Sequence, residues 1–431
     1  MSVYPDRTAN TVPPTARHNH PHPASAGGRL EIAGCWLVCH VRRPSATYLR
    51  SCWLELKSAR DNKVVALEAR CEMSEETEID SEEEVVTTSN SSGTLYIMRE
   101  RDHRTGATFE YFKIGIVNGD KEVEKREREH RTGNPRSIET VFELQLPAVQ
   151  KLETLLHNHY AARRVSSGEW FHFSEDEIPR VITGIEHAAT KVKHFASITV
   201  PSPSTVDFEA SALPATSEHM QLARSYLFVE RKSKHVDAIR KLISKALLDS
   251  KDDNGDVMQM LKPREVSASE KFNVGALQKL DKALYLKFKN RTSTKLQFSV
   301  VYKDQSIDTE IELWKSRELS SSDGFEAWDV FDLHAEYLRL WALKNKLDFE
   351  EKILELELKY ATGTSPGITS VTIWENKTTT QFDQVAFREA HPEIYEACKV
   401  KKEATTTFNV AEWVSYVAPR EALPLATEIF E

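Results

Sequence analysis

The sequence predicts a multidomain α+β protein: a small mixed β-sheet flanked by helices, followed by a second α+β domain. Three observations predict it. The chain has 431 residues, too many for one ordinary hydrophobic core. Between residues 93 and 173, short strand-like runs alternate with helix-like ones. Polar stretches at 72–92 and 200–222 break the pattern on either side.

Residues 1–28 carry Pro5, Pro13, Pro14, Pro21 and Pro23 among Ser, Thr and His and read as a disordered tail. They lack the apolar core of a secretory signal. His18, His20 and His22 in this tail receive no specific role. Residues 29–71, "LEIAGCWLVCHV" and "YLRSCWLELKSARDNKVVALEARCEM", read as a small β-rich unit with a turn at Asp61-Asn62. Cys35, Cys39, Cys52 and Cys71 follow a C-x3-C-x12-C-x18-C spacing that a four-thiolate zinc site could tolerate. Their apolar surroundings favour buried free thiols instead. An odd total of five cysteines points to a reducing compartment. From Glu72 to Met98 there are eight acidic residues and no basic one, which marks a solvated acidic linker over 72–92.

From Gly93 the texture changes. "GTLYIMRE" and "EYFKIGIV" are strand-like runs joined by the turn-rich "RDHRTGAT", so they form a hairpin. "KEVEKREREHR" is a helix stopped by Gly133, with Pro135 just beyond. "SIETVFELQL" returns as a strand. "AVQKLETLLHNHYAARR" is an amphipathic helix with Val149, Leu152, Leu155, Leu156 and Tyr160 on one side, and "GEWFHF" closes a domain over 93–180. After the linker at 200–222, the domain at 223–431 opens with a helix near 222–248. A β-rich stretch over 283–314 follows, then a helical pair near 325–361, and a tail through "HPEIYEACKV". No internal repeat is evident.

A composition of 40% hydrophobic and 29% charged residues is globular. No apolar run approaches the about 18 residues that a membrane span needs, so the expectation is a cytoplasmic protein without membrane attachment. The net charge of −9 offers no global attraction to nucleic acid, so such binding requires a local patch. The 93–173 segment is itself almost neutral, with 13 Lys or Arg against 12 Asp or Glu.

Within that segment the order of polar residues is informative. Tyr96 lies on the first strand and Lys113-Ile114-Gly115 on the second. Arg126 and His130 are four apart on one helix, Glu153 and His157 four apart on the next, and each pair can therefore address one point in space. The charged helix also admits a plainer reading, as a solvated face with Glu122–Arg126, Glu124–Arg128 and Glu127–Arg131 pairs. His157 suits a capping or packing role as well as a site role. Trp170 and Phe171 read as core anchors.

Taken in order, "LYI…FKIG…REREHRTGNP…LETLLHNHY…GEWF" resembles the GIY-YIG nuclease superfamily, in particular a phage and bacterial DNA-binding branch with a KIG variant and a C-terminal EWF. The resemblance implies a metal-dependent DNA endonuclease. Tyr96, Lys113, Arg126, His130 and Glu153 would be its catalytic residues, with Glu153 as the ligand of one Mg²⁺ or Mn²⁺. In this reading Arg126 clamps phosphate oxygens and the metal stabilises the oxygen leaving the sugar. Tyr96 would help deprotonate water if positive charge favoured its phenolate, and His130 would orient or protonate. Thr94-Leu95-Tyr96 departs from Gly-Ile-Tyr, and Lys113 replaces the second tyrosine. Arg99, Arg101, Arg104, Arg128, Arg131 and Arg136 are the expected DNA phosphate contacts.

"ITSVTIWENKTTTQFDQVAFREAHPEIYEACKV" is similar to the tail that follows the nuclease core in YqaJ-like phage recombinases, without their carboxylate-and-lysine core upstream. This implies a non-catalytic C-terminal domain for DNA or protein contact, and a bacterial or phage-infected cell as its setting. A DNA-binding protein without turnover is the alternative to the endonuclease. A further reading has the acidic stretch 72–84 covering the site by mimicking DNA charge.

Overall fold

The structure is a computed structural model that describes residues 91–119, 122–131, 136–165, 167–251, 255–319 and 325–414. All of them belong to the unit Glu82–Glu431. The expected tail at 1–28, the unit at 29–71 with its four cysteines, and the acidic stretch up to residue 90 lie outside the described residues. So do Gly133 and Pro135.

The first half is built on a five-stranded sheet in the order β3-β1-β2-β5-β4. β1 (Gly93–Arg101) and β2 (Thr108–Asn118) form the expected hairpin. The chain then crosses through helix α1 (Val123–Arg131) to β3 (Ser137–Leu146), which pairs with the far side of β1. Helix α2 (Val149–His159) leads to two short strands, β4 (Arg164–Val165) and β5 (Trp170–His172), and β5 pairs with β2. The sheet is not mixed: every neighbouring pair is antiparallel. The α1 crossover does make β2 and β3 parallel, but β1 lies between them.

Alternation along the strands divides the sheet into two faces. Leu95, Ile97, Phe112 and Ile114 pack with Leu152, Leu156 and Phe171 in the main core. Tyr96, Met98, Val117 and Ile138 form a smaller cluster with Val123 of α1. A helix unassigned above, α3 (Ile178–Ser197), adds Val181, Ile185, Ala188, Val192 and Phe195 to the main core at helical spacing.

Helix α4 (Ser217–Asp249) starts inside the stretch expected to be a linker, because Thr216 and His219 form a reciprocal cap. The expected helical pair near 325–361 is one helix, α8 (Val330–Thr362), whose 33 residues span about 50 Å. Its partner is α4, running antiparallel: Ser233 hydrogen-bonds Asp348 at 2.6 Å and Arg240 reaches Tyr337 at 3.3 Å. α8 contributes Leu333, Tyr337 and Leu338 to the core shared with α4, Phe349 and Ile353 to the core of the five-stranded sheet, and Leu358 to a third cluster.

The remaining chain carries the strands β6 (Leu261–Val266) and β9 (Gly367–Ile368) and a repeat that the sequence reading did not detect. Strand β7 (Ser269–Phe272) precedes helices α5 (Val274–Leu280) and α6 (Lys282–Phe288), which lead into β8 (Arg291–Val300). Strand β10 (Thr372–Gln381) precedes α9 (Gln384–Ala390) and α10 (Pro392–Ala397), which lead into β11 (Lys399–Lys402). The first strand of each copy pairs with the last strand of the other, β7 with β11 and β10 with β8. The reciprocity extends to single atoms. Asn273 N–H donates to Cys398 O at 3.0 Å, and Asp383 N–H donates to Phe288 O at 2.8 Å. Phe272 stacks on Tyr395 at 4.6 Å, and Phe382 on Tyr285 at 5.6 Å. Phe272 and Phe382, 110 residues apart, lie at the strand-to-helix junction of each copy, and Ala276/Ala386, Tyr285/Tyr395 and Lys289/Lys399 coincide at the same offset.

Two local readings change accordingly. "KALYLKF", expected as strand, is helix α6: Asp281 accepts a capping hydrogen bond from Leu284 N–H at 2.9 Å, and Leu284, Tyr285 and Phe288 turn inward on one face. "DTEIELWK" lies in helix α7 (Ser306–Glu318), with Ile307 and Ile311 buried one turn apart.

Candidate functional site

On the α1 side of the sheet, Tyr96 of β1 lies opposite Gly115 of β2, and Met98 lies opposite Lys113. Tyr96 is 1% exposed, and its ring lies directly across the glycine. A Cβ added at 115 would sit 2.6 Å from the Tyr96 hydroxyl oxygen and 2.8 Å from Cζ. Arg126 comes down from α1, anchored through buried Val123, and hydrogen-bonds the Tyr96 hydroxyl. Its guanidinium also holds Glu129 at 2.9 Å, three residues on, rather than Glu122. Burial pushes the Tyr96 phenol above its ordinary value, and the Arg126 hydrogen bond and charge oppose that push without cancelling it.

His130, one turn after Arg126, is half-buried, and its Nε2 has no hydrogen-bond partner. Burial, then the charges of Lys113 and Arg126, hold its imidazole below the usual range, so the ring is neutral at pH 7.

Lys113 is 8% exposed, and its Nζ lies 2.6 Å from Glu169 Oε2. Burial raises the Glu169 carboxyl, but the Lys113 hydrogen bond and charge bring it below the usual carboxylate range. Glu169 also ends the pairing of β5 along β2, with Ile114 N–H donating to Glu169 O at 3.1 Å. Past that point the edge of β2 is open, and the Ile114 carbonyl accepts from His157 Nε2 at 3.1 Å. The α2 helix therefore meets the strand edge at His157, and the turn before it delivers Glu153 to the same place. Burial, then the neighbouring Glu169 charge, push the Glu153 carboxyl up to about 7, against Lys113 and Arg164. His157, whose ring lies 5.2 Å from Phe171, is held low by burial, opposed by its bond to Ile114.

Tyr96, Lys113, Arg126, His130 and Glu153 are thus assembled around one end of the hairpin by four elements, its two strands and the helices α1 and α2. The other expected arginines lie elsewhere, and all but Arg104 are engaged. Arg99, on the opposite face of β1 by alternation, is held by Glu139 at 2.5 Å and Glu175 at 2.7 Å. Arg101 donates to Gly106 O at 3.0 Å and approaches Glu139 at 3.6 Å. Arg131 pairs with Glu127 and donates to Ile138 O at 3.1 Å. Arg136 pairs with Glu100 and lies 4.3 Å over the Phe109 ring. Arg104 sits exposed in the β1–β2 loop, and Arg128 donates to the Glu124 carbonyl at 3.4 Å.

Glu169 and Arg164 belong to the site and were missed. Glu169 stands before two aromatic anchors and reads as part of their packing. Lys113 held the signal for it: a lysine between Phe112 and Ile114 on a central strand is buried and requires a carboxylate. Arg164 arrives from β4, where Val414 N–H donates to the Arg164 carbonyl at 3.1 Å and Glu412 faces the guanidinium. Only the folded chain brings those residues together.

The donor set bears on the expected metal. Among the described residues no group of three or more His, Cys, Asp or Glu side chains could hold an ion. Glu153, pressed by Glu169 and half-buried, is a single hard oxygen donor whose charge a divalent cation would relieve. That set fits Mg²⁺, which keeps several waters and binds through one or two carboxylates and substrate oxygens.

Residues 93–186 match the T5orf172 domain. This is a phage-associated DNA-binding and nuclease-like domain, related to GIY-YIG and HNH-type endonucleases. No curated protein and no solved structure matches the chain. No described helix is long and apolar enough to cross a membrane.

Proposed function

We propose that the T5orf172-like segment is a metal-dependent DNA endonuclease of GIY-YIG type, with Tyr96, Lys113, Arg126, His130, Glu153 and the added Glu169 as its site. The observation that carries the proposal is that the Arg126 guanidinium meets the Tyr96 hydroxyl and lies close enough to the unpartnered His130 imidazole to help burial hold it neutral. Phosphodiester hydrolysis needs a proton acceptor, a cation on the phosphate and a charge stabiliser at the leaving oxygen. Arg126, exposed and bound to Glu129 alone besides Tyr96, exchanges that carboxylate for the phosphate. The neutral His130 takes the proton of the attacking water. Tyr96, kept protonated by burial, orders the water and the arginine instead of acting as the base. Glu153 would hold Mg²⁺, which when bound supplies charge to the oxygen leaving the sugar. Lys113 keeps Glu169 ionised and tempers the charge around Glu153.

The resemblance of residues 368–400 to the YqaJ-type tail supports the same DNA setting. The second reading, DNA binding without turnover, is favoured by one feature: Lys113 stands where the second tyrosine would be and is tied to Glu169. The test is cleavage of supercoiled plasmid and branched DNA with Mg²⁺ or Mn²⁺ by the intact protein, Glu153→Ala and Arg126→Ala. Metal-dependent nicking that both variants lose supports the endonuclease. DNA binding that Arg126→Ala weakens, with no cutting by any form, supports the reader.

A further inference from the structure

The nuclease-like segment is close to neutral, and the charged ends of Arg99, Arg126, Arg131 and Arg136 are taken by carboxylates. The chain's concentration of cations lies elsewhere. Residues 262–295, the first copy of the repeat with its leading strand, carry nine Lys or Arg against three Asp or Glu, in a protein of net charge −9. Lys271, Lys279, Lys282, Lys287, Lys289 and Arg291 are all exposed. Unlike those four arginines, they form no ion pair with a described carboxylate.

The second copy is an internal control. Its corresponding stretch, 372–405, carries five Lys or Arg against six Asp or Glu. Lys279, Lys282 and Lys287 correspond to Glu389, Pro392 and Ala397, yet the two copies fold into the same strand–helix–helix arrangement. The fold therefore does not require the lysines. On α6, Lys282 and Lys287 flank Leu286, which is 55% exposed, on the side away from the inward face of Leu284, Tyr285 and Phe288, and Lys279 lies on α5 just before it. The array continues onto β8, where Arg291 and Lys295 share a face. Lys295 stands directly opposite Lys377 of β10.

We propose that this first copy, through Lys279, Lys282, Lys287, Lys289, Arg291 and Lys295, holds the phosphate backbone of DNA for the site at 93–197. The inference rests on the nuclease-like reading only in taking DNA as the polyanion. Binding through lysines on a solvated surface is sequence-independent and steeply salt-dependent.

The test measures binding of the full chain to a short labelled DNA duplex over a range of salt concentrations. It compares the native protein with Lys279→Gln/Lys282→Gln/Lys287→Gln/Lys289→Gln. Each lost phosphate contact lowers the slope of log K against log salt by about 0.9, so the quadruple variant should lose about 2 to 4 from the slope and bind at least roughly tenfold more weakly at low salt. A thermal melt checks folding, and the more conservative Lys287→Gln/Lys289→Gln pair serves if the quadruple variant melts early. Native slope and affinity in a folded variant would overturn the proposal. So would a loss seen only with anionic vesicles or an acidic peptide while DNA binding persists. Single-turnover cleavage at saturating DNA separates the two readings. Cleavage lost in Glu153→Ala but kept in the quadruple variant leaves the nuclease standing whatever the slopes show. A slope that falls in a protein that never cuts supports the lysine array alone.

Discussion

The hydroxyl of Tyr96 occupies the space where a side chain at position 115 would begin. With the oxygen 2.6 Å and Cζ 2.8 Å from an ideal Cβ, the tyrosine and Gly115 are complementary halves of one contact. This ties the second motif of the resemblance to the first by packing. Gly115→Ala should cost about 1–3 kcal/mol by overpacking. Tyr96→Phe in the same chain should recover part of that cost, because it removes the closest atom. Denaturant unfolding of the double-mutant cycle checks this, and additive effects would refute the contact.

The Glu153 carboxyl, at about 7 in the folded protein, ionises less readily there than in the unfolded chain. The folded state thus retains a proton that the unfolded state has released, and stability without metal falls as pH rises from about 4.5 to about 7. Glu153→Gln cannot titrate. Its melting temperature should match the native value near the lower limit and exceed it above pH 7. Scanning calorimetry in chelator across that window tests the sign.

Glu169 pushes the Glu153 carboxyl up, and Lys113 pulls it down. Glu169→Gln should therefore move the pH midpoint for Mn²⁺ binding lower, and Lys113→Met should move it higher. Titration calorimetry at several pH values reads both shifts, and displacement in the same direction would contradict the arrangement.

Arg126 and Arg128 are neighbours in a salt-bridged helix, but only Arg126 reaches Tyr96. Arg126→Ala should lower single-turnover cleavage about 10²- to 10³-fold. Arg128→Ala should stay within a few-fold of the native rate. Equal losses would mean that the helix acts through its overall charge.

Protonation of buried His334 opposes folding, because burial holds its imidazole down to about 4, with the Ala411 carbonyl bound at 2.9 Å. That contribution is absent above about pH 6.5 and grows as pH falls toward 4. His334→Gln should therefore lose stability on acidification less steeply than the native chain, as melts from pH 7 to pH 4 would show.

The sheet and its flanking helices at 93–173 were legible because their signals are local: alternation in "GTLYIMRE", a helix end after "REREHR", an apolar stripe in "LETLLHNHY". The site was legible where spacing alone places residues together, as for Arg126 with His130. It was illegible at Glu169 and Arg164, whose roles depend on strand pairing and on residues 412–414 far along the chain. Alternating apolar letters in "ALYLKF" mimic a strand, and only the Asp281 cap reveals the helix. The repeat escaped because its two copies share backbone and core positions while their surfaces have diverged from lysine-rich to balanced.

The α8 helix gives the nuclease-like segment a stake in the stability of the rest of the protein. Phe349 and Ile353 complete the core against Phe195, and Asn345 hydrogen-bonds Asn158 at 3.0 Å one turn earlier. A fragment ending at residue 197 would carry a greasy seam along its third helix and would have to find another chain to cover it. This cassette cannot be lifted out and transplanted as a self-sufficient part: it and the rest of the chain share one spine.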